Sequence, residues 1–85
     1  MRTAEVREVV AQHARLAVPI DQVADDCDLY AAGLTSLTTV TLMLVLEERF
    51  NVEFSDKMLH RKTFATIRSL AAAIDELLAP ATRAA

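Results

Sequence analysis

The chain has 85 residues, 53% of them hydrophobic, and a net charge of −3, which sets one small domain with a single modest core. One tyrosine, three phenylalanines and no tryptophan make that core mainly aliphatic, and one glycine with two prolines favours a few helices over many short strands. A single cysteine excludes an internal disulfide and a thiolate metal cluster, and no apolar run is long enough to span a bilayer. Residues 1–8 lack the apolar stretch of a signal peptide, so the expected compartment is the cytoplasm.

Val6, Val9, Val10, His13, Ala14 and Ala17 recur at helical spacing, predicting a first helix over 4–16 that ends ahead of Pro19. Residues 18–35 form a long connection with Ile20, Val23, Leu29, Tyr30 and Leu34 scattered among acids. A connection of that length in a compact domain is functional or locally structured, and its apolar residues are expected to pin it across the bundle. Tyr30 reads as one anchor, with its hydroxyl reaching solvent. Thr35 suits the N-cap of a second helix over 36–50. Val40, Met43, Glu47 and Phe50 lie along one side of it, and Leu42 and Leu46 widen the apolar arc. Leu37, Leu44 and Val45 fall elsewhere on the wheel, beside Thr41 and Glu48. A helix apolar almost all round is central to the fold or keeps one face for something outside.

Ser55 or Asp56 can cap a short third helix running to about Arg61, and Thr66 a fourth with Ile67, Leu70, Ile74, Leu77 and Leu78 on its inner side. Pro80 stops that helix. The ordered core is expected over 4–78, with a loose tail over 79–85. The fold class is therefore all-α: a small antiparallel bundle of three main helices, one short helix and a long loop after the first, in one domain without repeats.

The only glycine, Gly33, stands three positions before Ser36. A glycine used once belongs where other residues fit badly, in a turn of positive φ or at a close backbone approach. Such a turn delivers Ser36 to the first turn of the second helix, where N–H groups lack partners and the helix dipole is positive. A hydroxyl there is well placed to carry a phosphate, which makes Ser36 an attachment point rather than a catalytic nucleophile. No activating base stands beside it in sequence, as a nucleophilic serine would need. His13 and His60 are expected on separate helices with no third ligand at metal spacing, Glu47 and Glu48 point in different directions on a helix, and Cys27 reads as a small loop residue.

Asp28-Leu29, Gly33, Ser36 and Leu37, at these spacings and in this order of helices, resemble the acyl carrier protein family, whose attachment motif is Gly-x-Asp-Ser-Leu or -Met. The likeness runs on through Val40, Leu42, Leu46-Glu47-Glu48, Phe50, Glu53 and Asp56 and resumes at Thr66-Ile67. The resemblance implies a non-enzymatic carrier. A phosphopantetheinyl transferase would join 4′-phosphopantetheine from coenzyme A to Ser36, with Gly33, Thr35 and Leu37 completing the motif. The arm's thiol would then hold acyl or aminoacyl groups as thioesters, put there by a loading ligase and passed to a downstream transferase or synthase.

Three departures from the family pattern bear on partners. Thr35 replaces the usual aspartate, keeping a capping oxygen and losing a charge. Thr38 and Thr41 stand where relatives often carry acids, so the outward side (Leu37, Thr41, Leu44, Val45, Glu48) is apolar with a sparse acidic fringe and is expected to bind partners mainly by apolar burial. Lys57, His60, Arg61 and Lys62 add positive charge, and Arg61 and Lys62 are read as a contact for the arm's phosphate or an acidic partner surface. Together these imply a specialised carrier, loaded by its own ligase with an amino acid or unusual acyl group; a monomer is the default expectation, with oligomerisation through the exposed apolar residues the alternative. The acids from Asp21 to Asp56 disfavour nucleic acid. A helical interaction domain docking through the second helix, with Ser36 a simple cap, is the other reading open at this point.

Overall fold

The computed structural model describes residues 2–79. Its helices are α1 (Thr3–His13), α2 (Ser36–Phe50), α3 (Arg61–Phe64) and α4 (Ile67–Leu78), with 3-10 turns at Ile20–Gln22 and Asp56–Met58. No strand occurs among the described residues. Three helices are long and one, α3, is a single turn, as the breaker content and apolar periodicity imply. The tail expected over 79–85 lies, apart from Ala79, outside the described residues.

α1 packs on both α2 and α4, and α3 packs on α4. The stripes that meet are Val6, Val9 and Val10 of α1, Leu42 and Leu46 of α2, and Ile67, Leu70 and Ile74 of α4, all with no exposed surface. Their spacing of three and four residues is what lets each helix bury one face. Phe54, after α2, meets Phe64 of α3 with ring centroids 5.5 Å apart, which fastens the short helix to the bundle. α2 begins and ends where the sequence places it. Thr35 caps its start, and Asn51, in the left-handed region at φ 54° and ψ 51°, terminates it.

Two elements differ from expectation. α1 stops at His13 rather than at 16, because Arg15 turns into the left-handed region at φ +54°. That conformation costs a side-chain-bearing residue roughly 1 kcal/mol. Pro19 is therefore not the terminator. The expected third helix from 55–56 to 61 is instead a 3-10 turn, after which Leu59 leaves helical geometry and an extended His60 leads into α3. The helix starts where it was expected to end, which allows Phe64 to reach Phe54.

The long connection is ordered by bonds that periodicity cannot reveal. The Arg7 guanidinium, on α1, donates to the carbonyls of Ile20 at 3.0 Å and Val23 at 2.5 Å and pairs with the Asp25 carboxylate at 2.6 Å. Leu29 N–H donates to Ala65 O at 2.7 Å and Arg68 N–H to Asp25 O at 2.8 Å. One arginine thus satisfies the end of the 3-10 turn with charge-assisted bonds, and the loop is stitched on its other side to the α3–α4 junction. Val23, Leu29 and Leu34 are buried as its apolar anchors.

Candidate functional site

The loop before α2 is built so that one serine emerges from a fixed base. The Asp28 carboxylate accepts from Tyr30 N–H at 3.0 Å, and Leu34 N–H reaches back to Leu29 O at 2.9 Å. Between them Gly33 sits at φ +119°. A Cβ there would lie 2.8 Å from Ala17 N and 3.3 Å from Ala17 Cβ, so both readings of this glycine hold: the backbone conformation and the close approach each demand it. Alongside, Ala17 N–H donates to Ala32 O at 2.8 Å. The exit from α1 and the approach to α2 are thereby clamped together.

Thr35 and Thr38 then form a reciprocal cap. Thr38 N–H donates to Thr35 Oγ1 at 3.2 Å, Thr35 N–H to Thr38 Oγ1 at 2.9 Å, and the two hydroxyls are 3.0 Å apart. A threonine at the third position takes the part that Glu or Gln plays in the usual capping box. Thr39 Oγ1 donates to Thr35 O at 2.7 Å. Ser36, between these threonines, is exposed and its hydroxyl makes no hydrogen bond among the described residues. Its own N–H and that of Leu37 belong to the first turn, which has no preceding carbonyl to serve it. The site therefore offers a free hydroxyl in a region that favours negative charge.

Around it, α2 exposes Leu37 (77%), Val40 (50%) and Leu44 (56%). Thr41 is half-buried and Glu48 exposed. Val45, read from the sequence as part of the outward side, is half-buried against the core, and Val40, one turn beyond Ser36, takes a place in the patch that the wheel gave to the inner line. The two cations read together from the sequence part company. Arg61 stacks over the Tyr30 ring, its guanidinium carbon 3.9 Å from the centroid, in a cation–π contact. Tyr30 Oη in turn lies 3.5 Å from Thr39 Oγ1. Lys62 instead lines a cleft of about 400 Å³ with Lys57, His60 and residues of α4. Arg61 thus faces the Ser36 end of α2 through Tyr30, and no sequence signal gave that pairing.

Among the described residues no group of His, Cys, Asp and Glu gathers as metal ligands would, and no helix is long and apolar enough to cross a membrane. A small bundle that holds one free serine at a capped helix start beside an exposed apolar stripe has the arrangement of a carrier domain. Residues 4–74 match the family described as Phosphopantetheine attachment site, and the chain belongs to that family. It is 49% identical over 67 residues, 79% of this chain and 81% of the relative, to an aminoacyl carrier protein of Agrobacterium fabrum.

Solved structures agree. The crystal structure of an engineered Bradyrhizobium japonicum glycine:[carrier protein] ligase complexed with carrier protein from Agrobacterium tumefaciens and AMP contains a chain matched with a TM-score of 0.82 at 45% identity, covering 86% of this chain and 97% of that one. The crystal structure of the Bradyrhizobium japonicum ligase complexed with glycylated carrier protein gives 0.73 at 25% identity, covering 85% and 96%. The protein is accordingly a carrier protein of the phosphopantetheine type.

Proposed function

We propose that Ser36 receives the 4′-phosphopantetheine arm and that the group carried is a small amino acid, glycine first among them. One observation carries the site: of the four adjacent hydroxyls at the start of α2, those of Thr35, Thr38 and Thr39 are engaged in intramolecular hydrogen bonds, and that of Ser36 is free and exposed. The residues fit the group, since a phosphodiester on Ser36 would stand in solvent at the positive end of α2. In the attachment step the Ser36 oxygen bonds to the pantetheine-bearing phosphorus of coenzyme A, the nucleotide portion leaves, and the serine proton passes to a base on the phosphopantetheinyl transferase. The bound arm supplies the terminal thiol on which thioesters form. This chain holds the arm at a fixed point and gives partners a surface to find it.

The amino-acid reading is supported by the aminoacyl carrier relative and by the glycine ligase complexes among the similar structures. An ATP-using ligase loads the arm, and a downstream transferase or synthase accepts the amino acid. Leu37, Val40, Thr41, Leu44 and Glu48 form the face these enzymes meet, where burial contributes at ~25 cal/mol per Å². Arg61 lies to hand for the arm's phosphate or an acidic partner group, and Lys62 for a second partner contact. The working unit is one chain, whose helices bury their apolar stripes against one another within the bundle. Its compartment is the cytoplasm, where ATP and coenzyme A are abundant.

The test is intact-protein mass spectrometry of wild type and Thr35→Asp after incubation with coenzyme A and a broad-specificity phosphopantetheinyl transferase. Both proteins gain one arm, and the aspartate variant gains it roughly fivefold faster, the equivalent of about 1 kcal/mol for one added charge contact. Aspartate keeps the capping acceptor, so folding is preserved. No increment on either protein overturns the attachment reading.

A further inference from the structure

We infer that the groove between the end of α1 and the start of α2 is the anchor for a carboxylate-bearing segment of the loading ligase, with Arg15 as its cationic contact. This rests on the carrier reading above and adds the chemistry and direction of docking. The groove, about 500 Å³, is lined by Gln12, His13 and Arg15 on one side and by Leu37, Thr38 and Thr41 on the other. None of these is an acid, and the first turn of α2 holds none. Arg15 is exposed, and among the described residues its guanidinium has no ion-pair or hydrogen-bond partner. It nevertheless occupies a left-handed position, φ +54°, where glycine is the easier fit. Its conformation ends α1, and its unpaired charge at a groove without acids is open to a partner outside the chain. The Gly33 approach to Ala17 and the Ala17–Ala32 bond hold this corner rigidly beside Ser36.

The groove opens onto one end of the outward stripe. Leu37, Thr41, Leu44 and Glu48 follow one another by four, three and four residues, so they share a face over about 16 Å of helix. Glu48, exposed, marks the far end. The stripe thus runs from a cation beside the attachment serine, across exposed Leu37 and Leu44, to an acid. The matching ligase element has apolar side chains at its centre, a carboxylate over Arg15 and a base over Glu48. That polarity fixes which way the element lies along α2 and so brings the ligase's reaction centre to the serine end. Such rim charges act chiefly on encounter and on salt dependence.

The experiment uses full-length holo-protein and the Bradyrhizobium japonicum glycine:[carrier protein] ligase with ATP and glycine, measuring kcat and KM for the carrier across a salt series. Arg15→Gly relaxes the backbone, so its Tm equals or exceeds wild type. Its KM rises roughly fivefold at low salt with kcat unchanged, and the difference fades as salt screens the pair. Arg15→Glu raises KM more than tenfold, and Arg15→Lys recovers most of the wild-type value. Equal KM values for wild type and Arg15→Gly at every salt concentration overturn the inference. The 31P shift of the phosphodiester is the same in both holo-proteins; a changed shift with unmoved KM assigns the groove to the arm and overturns the ligase contact. Failure of wild type to take up the arm overturns the carrier reading; an armed wild type that this ligase does not load overturns the ligase contact alone.

Discussion

Ser36→Ala folds as the wild type does and never acquires an arm. The side chain is exposed and makes no hydrogen bond among the described residues, so its removal leaves no buried group unsatisfied. The cap of α2 is made by Thr35 and Thr38, and alanine is a good helix former. The expected change in stability is within about 0.5 kcal/mol. The effect on modification is complete, because no neighbour can substitute: Thr35 and Thr38 are spent on each other and Thr39 on the Thr35 carbonyl. Circular dichroism and intact mass, measured on the same sample after transferase treatment, check both halves. An arm found on the variant moves the site to another residue.

Gly33→Ala has the largest expected effect on stability. At φ +119° the backbone lies beyond the left-handed region that asparagine or aspartate tolerate, and holding a side-chain-bearing residue there costs on the order of 1–3 kcal/mol. The added Cβ also meets Ala17 N at 2.8 Å, a backbone atom that cannot swing aside. Relief requires separating the two strands of chain that the Ala17–Ala32 hydrogen bond joins. The combined loss is about 3 kcal/mol, a large share of the total stability of a domain this size, and lowers Tm by roughly 12–24 °C. Because the same clamp positions the approach to α2, modification of Ser36 by the transferase slows as well. Thermal unfolding that matches wild type within 2–3 °C, about half a kcal/mol, contradicts this account of the turn.

The sequence carried the long elements because their signals are local. Thr35 and Thr66 are caps at the head of apolar periods, and α2 and α4 start directly after them. The turn at Gly33 and the place of Ser36 at the start of α2 were legible for the same reason, since one residue three positions from another is a local pattern. The end of α1 was not. Ala14 is buried in phase with the helix, and the turn that ends it rests on an arginine in a conformation arginine seldom adopts. The short third helix was displaced because its start depends on Phe64 reaching Phe54, a tertiary contact. Arg7 and Arg61 show the wider limit. Each acts through partners far off in sequence, loop carbonyls for one and a tyrosine ring for the other, and nothing at either position announces them. The outward face of α2 was read only in part for a similar reason: the position of α1 and the loop, not the wheel, decides that Val40 is exposed and Val45 half-buried.

The most direct measurement of the central claim is the mass of the holo-protein after incubation with a glycine-activating ligase, ATP and glycine, followed by hydroxylamine. The account predicts one glycyl increment that appears only when the arm is present, maps to the peptide containing Ser36, and is released by hydroxylamine as a thioester is. A glycyl increment on the arm-free protein, one that resists hydroxylamine, or none on a fully modified carrier would contradict it.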